Sequence, residues 1–189
     1  MKFIKSVLPL FLALWTIAYG SSNSFVSGSE DLTPEIIRLI QGCNSNDDDS
    51  CSKTNSYFEK ACNLNHGGGC SNLGFLYSQG KGVRQDYSKA NSYYEKACNL
   101  NDGDGCFNLG VLYAEGQGVR QDYSKANSYF EKACNVNDSS GCFNLGVLYS
   151  QGKGVRQNKT TAKWYFGKAC DYGDQDGCDM YRILNEQGY

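Results

Sequence analysis

Cysteine is the residue type in this 189-residue chain whose spacing is most specific for chemistry. Thiols bind metal ions or exchange electrons in a reducing compartment, and they form structural disulfides in an oxidising one. A zinc site usually needs cysteines about two to four residues apart together with histidine. Here the cysteines of each pair are eight residues apart, and the one histidine is His66. We therefore predict five disulfides, no metal site and no cofactor. The predicted bridges are Cys43–Cys51, Cys62–Cys70, Cys98–Cys106, Cys134–Cys142 and Cys170–Cys178.

The first 20 residues predict a secretory signal peptide. Lys2 and Lys5 precede an apolar run over residues 7–18, and Ala18 and Gly20 supply the small residues that signal peptidase needs. We expect cleavage after Gly20, which leaves a secreted chain, extracellular or periplasmic, with no membrane partner; the alternative is an N-terminal anchor that stays uncleaved. Residues 21–33 are predicted to form a flexible leader and the cap of the first helix. Export also places the cysteines where disulfides form and persist.

The charge of the chain argues against a nucleic-acid partner. The whole chain has 18 basic and 20 acidic residues and a formal charge of −2. Without the signal peptide, 16 basic residues remain against 20 acidic ones, a charge of −4. Lysine and arginine do not form a cluster in the sequence, and binding to phosphates needs a basic face.

An internal repeat of 36 residues predicts the architecture. Cys62, Cys98, Cys134 and Cys170 are 36 residues apart, and Asn-Leu-Gly recurs at 72–74, 108–110 and 144–146. A fixed period of this size indicates a solenoid of stacked supersecondary units. We predict units at 34–69, 70–105, 106–141 and 142–177, followed by a C-terminal capping helix at 178–189.

Each unit is predicted to contain two helices. In the third unit the first helix is predicted to begin at Cys106, which shares one face with Leu109 and Leu112 at helical spacing. Gly116 ends that helix because glycine readily adopts the left-handed conformation. No alternating apolar run of strand length occurs. The prediction is an all-α fold, an α/α superhelical solenoid of 36-residue helix pairs clamped by disulfides. Residues that cap helix N-termini recur in phase before the second helix: Ser50, Asp86, Asp122 and Asn158.

The motifs of the units resemble a known repeat. Asn-Leu-Gly-x-Leu-Tyr, Gly-x-Gly-Val, Ser-Lys-Ala and Tyr-x-Glu-Lys-Ala-Cys are similar to the Sel1-like repeat, a relative of the tetratricopeptide repeat, over residues 34–189. With paired cysteines every 36 residues behind a signal peptide, the chain resembles the secreted cysteine-rich Hcp proteins. That resemblance implies penicillin binding with weak β-lactamase activity, or a secreted antigen that affects host cells.

The residues give little support to the enzyme that the resemblance implies. A serine β-lactamase uses Ser-x-x-Lys on a helix together with Ser-Asp-Asn and Lys-Thr-Gly elements, and neither of these last two occurs. His66 lies in a glycine-rich turn, which favours an exposed side chain over a catalytic base. We interpret the Ser-x-x-Lys matches as coincidental, so the catalytic residues are unknown. The matches are Ser50/Lys53, Ser78/Lys81 and Ser150/Lys153.

Binding of a ligand or protein partner on a concave face is the function that the repeats favour. The first helices of stacked helix pairs usually line that face. The amides of Asn72, Asn108 and Asn144 recur there and are able to hold a peptide backbone, or instead bond the turn or the neighbouring unit. The expected partner is a peptide or host protein, with a β-lactam or cell-wall peptide under the enzyme alternative. Side chains predicted to give apolar contacts there, or to pack between units, are Phe107, Val111, Phe143 and Val147.

Overall fold

The computed structural model describes residues 34–189, so the predicted signal peptide at 1–20 and the leader and cap at 21–33 lie outside the described residues. Within residues 34–189 the chain forms nine α-helices and no strand, which confirms the all-α solenoid. None of these helices is long and apolar enough to cross a membrane. The helices are α1 (Pro34–Asn44), α2 (Asp48–Asn63), α3 (Gly67–Gln79), α4 (Tyr87–Asn99), α5 (Gly103–Glu115), α6 (Tyr123–Asn135), α7 (Ser139–Gln151), α8 (Lys159–Asp171) and α9 (Gln175–Glu186).

The helices pack in consecutive pairs that stack into the solenoid. We call α1, α3, α5, α7 and α9 the A helices, and α2, α4, α6 and α8 the B helices. Every helix packs against its neighbours in the chain. In addition, α3 contacts α5 and α5 contacts α7, whereas successive B helices make at most marginal contacts with one another among residues 34–189. In a curved stack the helices that contact their counterparts lie on the inside, so the A helices line the inner side.

Disulfides join consecutive helices at the corners of the solenoid, and the bonded pairs are the five given above. Four of them connect the end of a B helix to the first turn of the next A helix, as Cys98–Cys106 does between α4 and α5. Cys43–Cys51 instead connects α1 to α2, the opposite corner of the first unit. Five disulfides indicate an oxidising environment, either extracellular or periplasmic.

The A helices begin earlier than the sequence predicted. Helix α5 begins at Gly103 and not at Cys106, because the Gly105 N–H donates to the Asp102 carboxylate at 2.7 Å and caps the helix. Glycine at position 105 disfavours a helix, but a Cβ there would lie 2.4 Å from the Cβ of Ala97. Only glycine therefore lets α5 lie this close to α4. Two further A helices have the same cap, at Asp138 and Asp174.

The B helices begin at capping residues, with one correction in the first unit. Asp86, Asp122 and Asn158 accept backbone N–H groups of α4, α6 and α8, as predicted. In α2 the predicted cap, Ser50, is wrong, because the cap is Asp47. The Asp47 carboxylate accepts both the backbone N–H and the hydroxyl of Ser50, and a carboxylate is a stronger acceptor than a hydroxyl. Ser50 lies in the first turn of α2 instead.

A large aromatic ring of each later B helix lies on a glycine of the A helix before it. Phe130 of α6 is 1% exposed, and a Cβ on Gly110 of α5 would lie 2.6 Å from its Cε1 atom. The missing side chain allows the ring to fill the space between the two helices. The same arrangement joins Tyr94 to Gly74 and Phe166 to Gly146.

Candidate functional site

The candidate site is the inner surface of α3 and α5, where successive A helices contact each other. Leu73 and Leu109 are each 1% exposed and form part of the core, so other side chains of these helices remain available to a partner. We call this surface the inner face. It is defined by the partly exposed side chains of Asn72, Phe75, Asp104, Phe107, Asn108 and Val111.

The three predicted asparagines share one register but differ in exposure. Each donates its Nδ2 to the carbonyl four residues earlier in its own helix, at 2.8 Å for Asn72 and Asn108 and 2.9 Å for Asn144. Asn72 and Asn108 are partly exposed, whereas Asn144 is 5% exposed. The bonds to neighbouring carbonyls hold the amides in fixed orientations. Only the first two asparagines are therefore accessible to a ligand.

Three of the four predicted apolar residues of this surface serve mainly in packing, and the fourth, Val111, is partly exposed. Phe107 lies 5.8 Å from Phe130, measured between ring centroids, and Phe143 lies 5.3 Å from Phe166. Val147 is 8% exposed and belongs to a core cluster with residues of α8 and α9. Val147 is therefore buried, whereas the equivalent Val111 of α5 is partly exposed.

Carboxylates concentrate at the N-terminal ends of the A helices. Helices α3, α5 and α7 contain no lysine or arginine. Burial, with the nearby charges of Asp102 and Asp138, raises the pKa of Asp104 to about 6. Burial also raises the pKa of Asp102 and that of Asp138, against the effect of their backbone hydrogen bonds to the capped helices. In residues 34–189 the ion pairs are Lys53–Asp49 and Arg182–Asp179, so no basic side chain neutralises this group.

Replacing Asp104 by asparagine is expected to stabilise the protein near neutral pH but not in acid. Folding raises the pKa of Asp104 from 3.8 to about 6. Protonation of Asp104 therefore stabilises the folded state fully below pH 3.8, and this stabilisation is lost as the pH rises through about 6. We expect Asp104→Asn to raise the free energy of unfolding by about 1 kcal/mol at about pH 7, and by much less at about pH 4. Urea titrations at the two pH values measure this difference.

The matched control for that prediction is Asp176→Asn. Asp176 occupies the equivalent position of α9 but is exposed, so its replacement should change stability little at either pH. If Asp104→Asn raised the free energy of unfolding equally at both pH values, the buried charge of Asp104 would not be the cause of the stabilisation.

The serines of the Ser-x-x-Lys matches are bonded to groups other than their lysines. The Ser50 hydroxyl donates to Asp47, while Lys53 pairs with Asp49 at 2.6 Å. Two further hydroxyls donate to backbone carbonyls three residues earlier, each at 2.8 Å: those of Ser78 and Ser150. A serine activated by lysine would need a hydrogen bond between the two side chains.

His66 and the acidic loop of the first unit are exposed. His66 precedes α3 at the position that Asp102 has before α5, and its side chain makes no capping hydrogen bond. Asp47, Asp48 and Asp49 lie at the start of α2, where the helix dipole favours negative charge. Among residues 34–189 no group of three or more histidine, cysteine, aspartate or glutamate residues is arranged to hold a metal ion.

Two solved structures share the fold of this chain. A Sel1 repeat protein of Oxalobacter formigenes has a TM-score of 0.66 and 24% identity, over 79% of this chain and 65% of its own. A protective antigen of uropathogenic Escherichia coli with an SLR fold has a TM-score of 0.67 and 24% identity, over 84% of this chain and 37% of its own. The chain thus spans less than two thirds of the length of both.

Sequence comparison assigns the family. Cysteine rich protein B of Helicobacter pylori is 35% identical with a TM-score of 0.56, over 81% of this chain and 99% of that protein. A comparison with curated proteins gives no match. The family model described as Sel1 repeat matches residues 52–66, 68–102, 103–138 and 139–174, which is more than half of the sequence. Together with the helix pairs and their inner A helices, these matches show that the chain belongs to the Sel1 repeat family.

Proposed function

We propose that this protein is a secreted interaction module that binds a protein partner, as an extended peptide segment, on the inner face. Sel1 repeat proteins generally mediate protein–protein interaction. The observation that carries the proposal is the pair of partly exposed asparagines, Asn72 and Asn108, in the same register on two A helices that contact each other. Each amide has a donor and an acceptor that match the peptide groups of an extended chain.

The site is proposed to lie on α3 and α5 and to exclude α7. Asn144 and Val147 are at most 8% exposed, so a peptide would have to displace core packing to reach them. Phe75 and Val111 are partly exposed beside the accessible asparagines and supply apolar area. A short surface of this kind supports modest affinity, because few side chains contact the ligand.

The charge of the inner face favours a basic partner. Asp104 lies on this face, Asp102 and Asp138 lie close to it, and the three A helices nearest to it have no basic residue. A lysine or arginine of the partner would compensate these carboxylates, whereas an acidic peptide would add to their repulsion. Complementary charge would raise the association rate and give specificity.

Short labelled peptides of equal length, one series basic and one acidic, test the proposal by fluorescence anisotropy. We expect binding of basic peptides only, with a dissociation constant that Asn108→Ala raises about fivefold through the loss of one hydrogen bond of about 1 kcal/mol. Asn144→Ala is the matched control and should leave binding unchanged, because Asn144 is buried. Equal effects of the two variants, or no binding of either series, would contradict the proposal.

Lactam binding with weak hydrolysis is the alternative implied by the resemblance. The hydroxyls of Ser50, Ser78 and Ser150 all donate to other groups, and none bonds the lysine of its motif. These contacts do not favour an acyl-enzyme at any of the three serines. The resemblance alone supports this alternative, and we do not propose it.

A further inference from the structure

The last B helix and the loop before it differ from the earlier repeats in charge. Residues 80–98 carry four basic and two acidic side chains, and residues 116–134 carry three and two. The equivalent residues 152–170 carry five basic side chains and no acidic one. Asn158 replaces Asp86 and Asp122, and Gly167 replaces Glu131. Comparison of the units thus revises the interpretation that basic residues do not cluster. The five are Lys153, Arg156, Lys159, Lys163 and Lys168.

An exposed tryptophan lies among these basic residues. Trp164 is 55% exposed, and the equivalent residues of α4 and α6 are Ser92 and Ser128. The Nζ atom of Lys168 lies 4.6 Å from the Trp164 ring, and the ring meets Tyr165 edge-on at 4.7 Å between centroids. These contacts orient the indole but leave more than half of its surface in water. Core packing therefore does not explain a tryptophan here.

Aromatic contacts connect Trp164 to the basic loop. Tyr165 stacks on Tyr149 of α7 at 5.5 Å, and Tyr149 lines a shallow surface cavity together with Arg156. In the two earlier units a lysine of the B helix, Lys89 or Lys125, lies over the tyrosine equivalent to Tyr149. The residue of α8 at that lysine's position is Thr161, which has no charged group to place over Tyr149. One continuous surface results, which we call the cationic face. It consists of Tyr149, Arg156, Trp164, Tyr165 and Lys168.

Trp164, Tyr165 and Lys168 of the cationic face belong to the B helix α8, on the outer side of the curve, whereas Tyr149 lies near the end of α7 and Arg156 lies in the loop before α8. The cationic face shares no residue with the inner face, and its exposed part is free to meet a flat surface. Within residues 34–189 both ion pairs lie elsewhere, so no Asp or Glu side chain pairs with Arg156 or Lys168. Lys163 instead donates to Asn185 and to the backbone carbonyl of Tyr189, and the carboxylate whose charge acts on Tyr165 is that of Glu131 in α6. Indole rings and basic side chains are the groups that adsorb to the headgroup region of anionic membranes.

We propose that the cationic face adsorbs this protein to anionic phospholipid surfaces. Arg156 and Lys168 contact the headgroup phosphates, while the Trp164 indole lies at the level of the headgroups. The contact with lipid does not involve the inner face, so a negative result for peptide binding would leave the lipid proposal unaffected, and the reverse also holds. The lipid proposal also replaces, for anionic lipid, the sequence expectation of no membrane partner.

Tryptophan fluorescence provides a direct test. The chain from Ser21 onward keeps every described helix and has Trp164 as its only tryptophan, since the other is Trp15. Vesicles with equal parts of phosphatidylglycerol and phosphatidylcholine should shift its emission to shorter wavelength, and pure phosphatidylcholine vesicles should not. Added salt should reverse the shift, because it screens the attraction between the charges.

Two double variants, each without two positive charges at equivalent positions of successive units, show which part of the surface binds the vesicles. Arg156→Gln with Lys168→Gln should weaken partition onto anionic vesicles about 30-fold, from about fivefold for each charge near the membrane. The matched control is Arg120→Gln with Lys132→Gln, the same change one unit earlier. We expect this control to weaken partition by about threefold or less, because these charges lie farther from the contact with the vesicle. Cosedimentation with vesicles measures both pairs.

Three results would overturn the proposal. The first is equal weakening by the two pairs, which would mean a response to net charge alone. The second is no change in Trp164 emission on binding, and the third is binding to a soluble acidic polysaccharide without binding to anionic vesicles.

Discussion

Complete reduction of the five disulfides is expected to lower the melting temperature by roughly 20–40 °C. Each bridge joins cysteines eight residues apart and, in the chain-entropy model, contributes about 2–3 kcal/mol by restricting the unfolded chain. The five loops do not overlap along the sequence, so together they contribute roughly 10–15 kcal/mol. This equals the whole stability of a typical domain. The reduced chain should therefore lose its helices at temperatures where the oxidised chain is folded.

Circular dichroism during heating measures this effect, with mass spectrometry to verify that all ten thiols are free. Removal of single bridges then compares the interior with the end of the solenoid. Cys106 is 1% exposed, whereas Cys170 and Cys178 are partly exposed. We expect Cys98→Ala with Cys106→Ala to cost about 1 kcal/mol more than Cys170→Ala with Cys178→Ala, because it also removes buried packing. An unchanged melting temperature after complete reduction would contradict the stabilising role of the bridges.

The architecture was predictable because its signals repeat. Apolar residues at helical spacing, such as Cys106 and Leu109, recur every 36 residues, so the period alone identifies stacked helix pairs. The starts of the A helices were not predictable from helix propensity, since Gly103 and Gly105 have poor propensity. Gly105 is helical because α5 packs against Ala97 of α4, and helix propensity takes no account of contacts between two helices.

The register of the candidate site was predictable, but its accessibility was not. Asn72, Asn108 and Asn144 each begin the same Asn-Leu-Gly motif, and Asn108 and Asn144 also share the residues on both sides of it. The structure distinguishes them, because Asn144 is 5% exposed and the neighbouring Val147 belongs to a core cluster that includes Leu184 of α9, whereas the equivalent Val111 is partly exposed. The raised pKa of Asp104 likewise depends first on burial, which arises only when the helices stack, and then on the charges of Asp102 and of Asp138 from the next unit.

Gly110→Ala is expected to destabilise the protein by about 2 kcal/mol, although alanine is the better helix former. The new Cβ would lie 2.6 Å from Cε1 and 2.7 Å from Cδ1 of Phe130, distances that require one of the two helices to move. Phe130 is 1% exposed and packs against Phe107, so its ring has no free space to enter. Urea denaturation measures the change in the free energy of unfolding.

A double-mutant cycle with Phe130→Leu tests whether this contact is the cause. The smaller side chain leaves room for the new methyl group, so the double variant should be more stable than the sum of the single effects predicts, by about 1 kcal/mol or more. The matched control is Gly167→Ala in α8, whose Cβ would lie 3.2 Å from the ring of Tyr181. Tyr181 is 42% exposed and able to move, so this variant should be neutral or gain up to about 1 kcal/mol. If Gly110→Ala were as harmless as Gly167→Ala, then close approach to an aromatic ring would not be the reason for glycine at positions 74, 110 and 146.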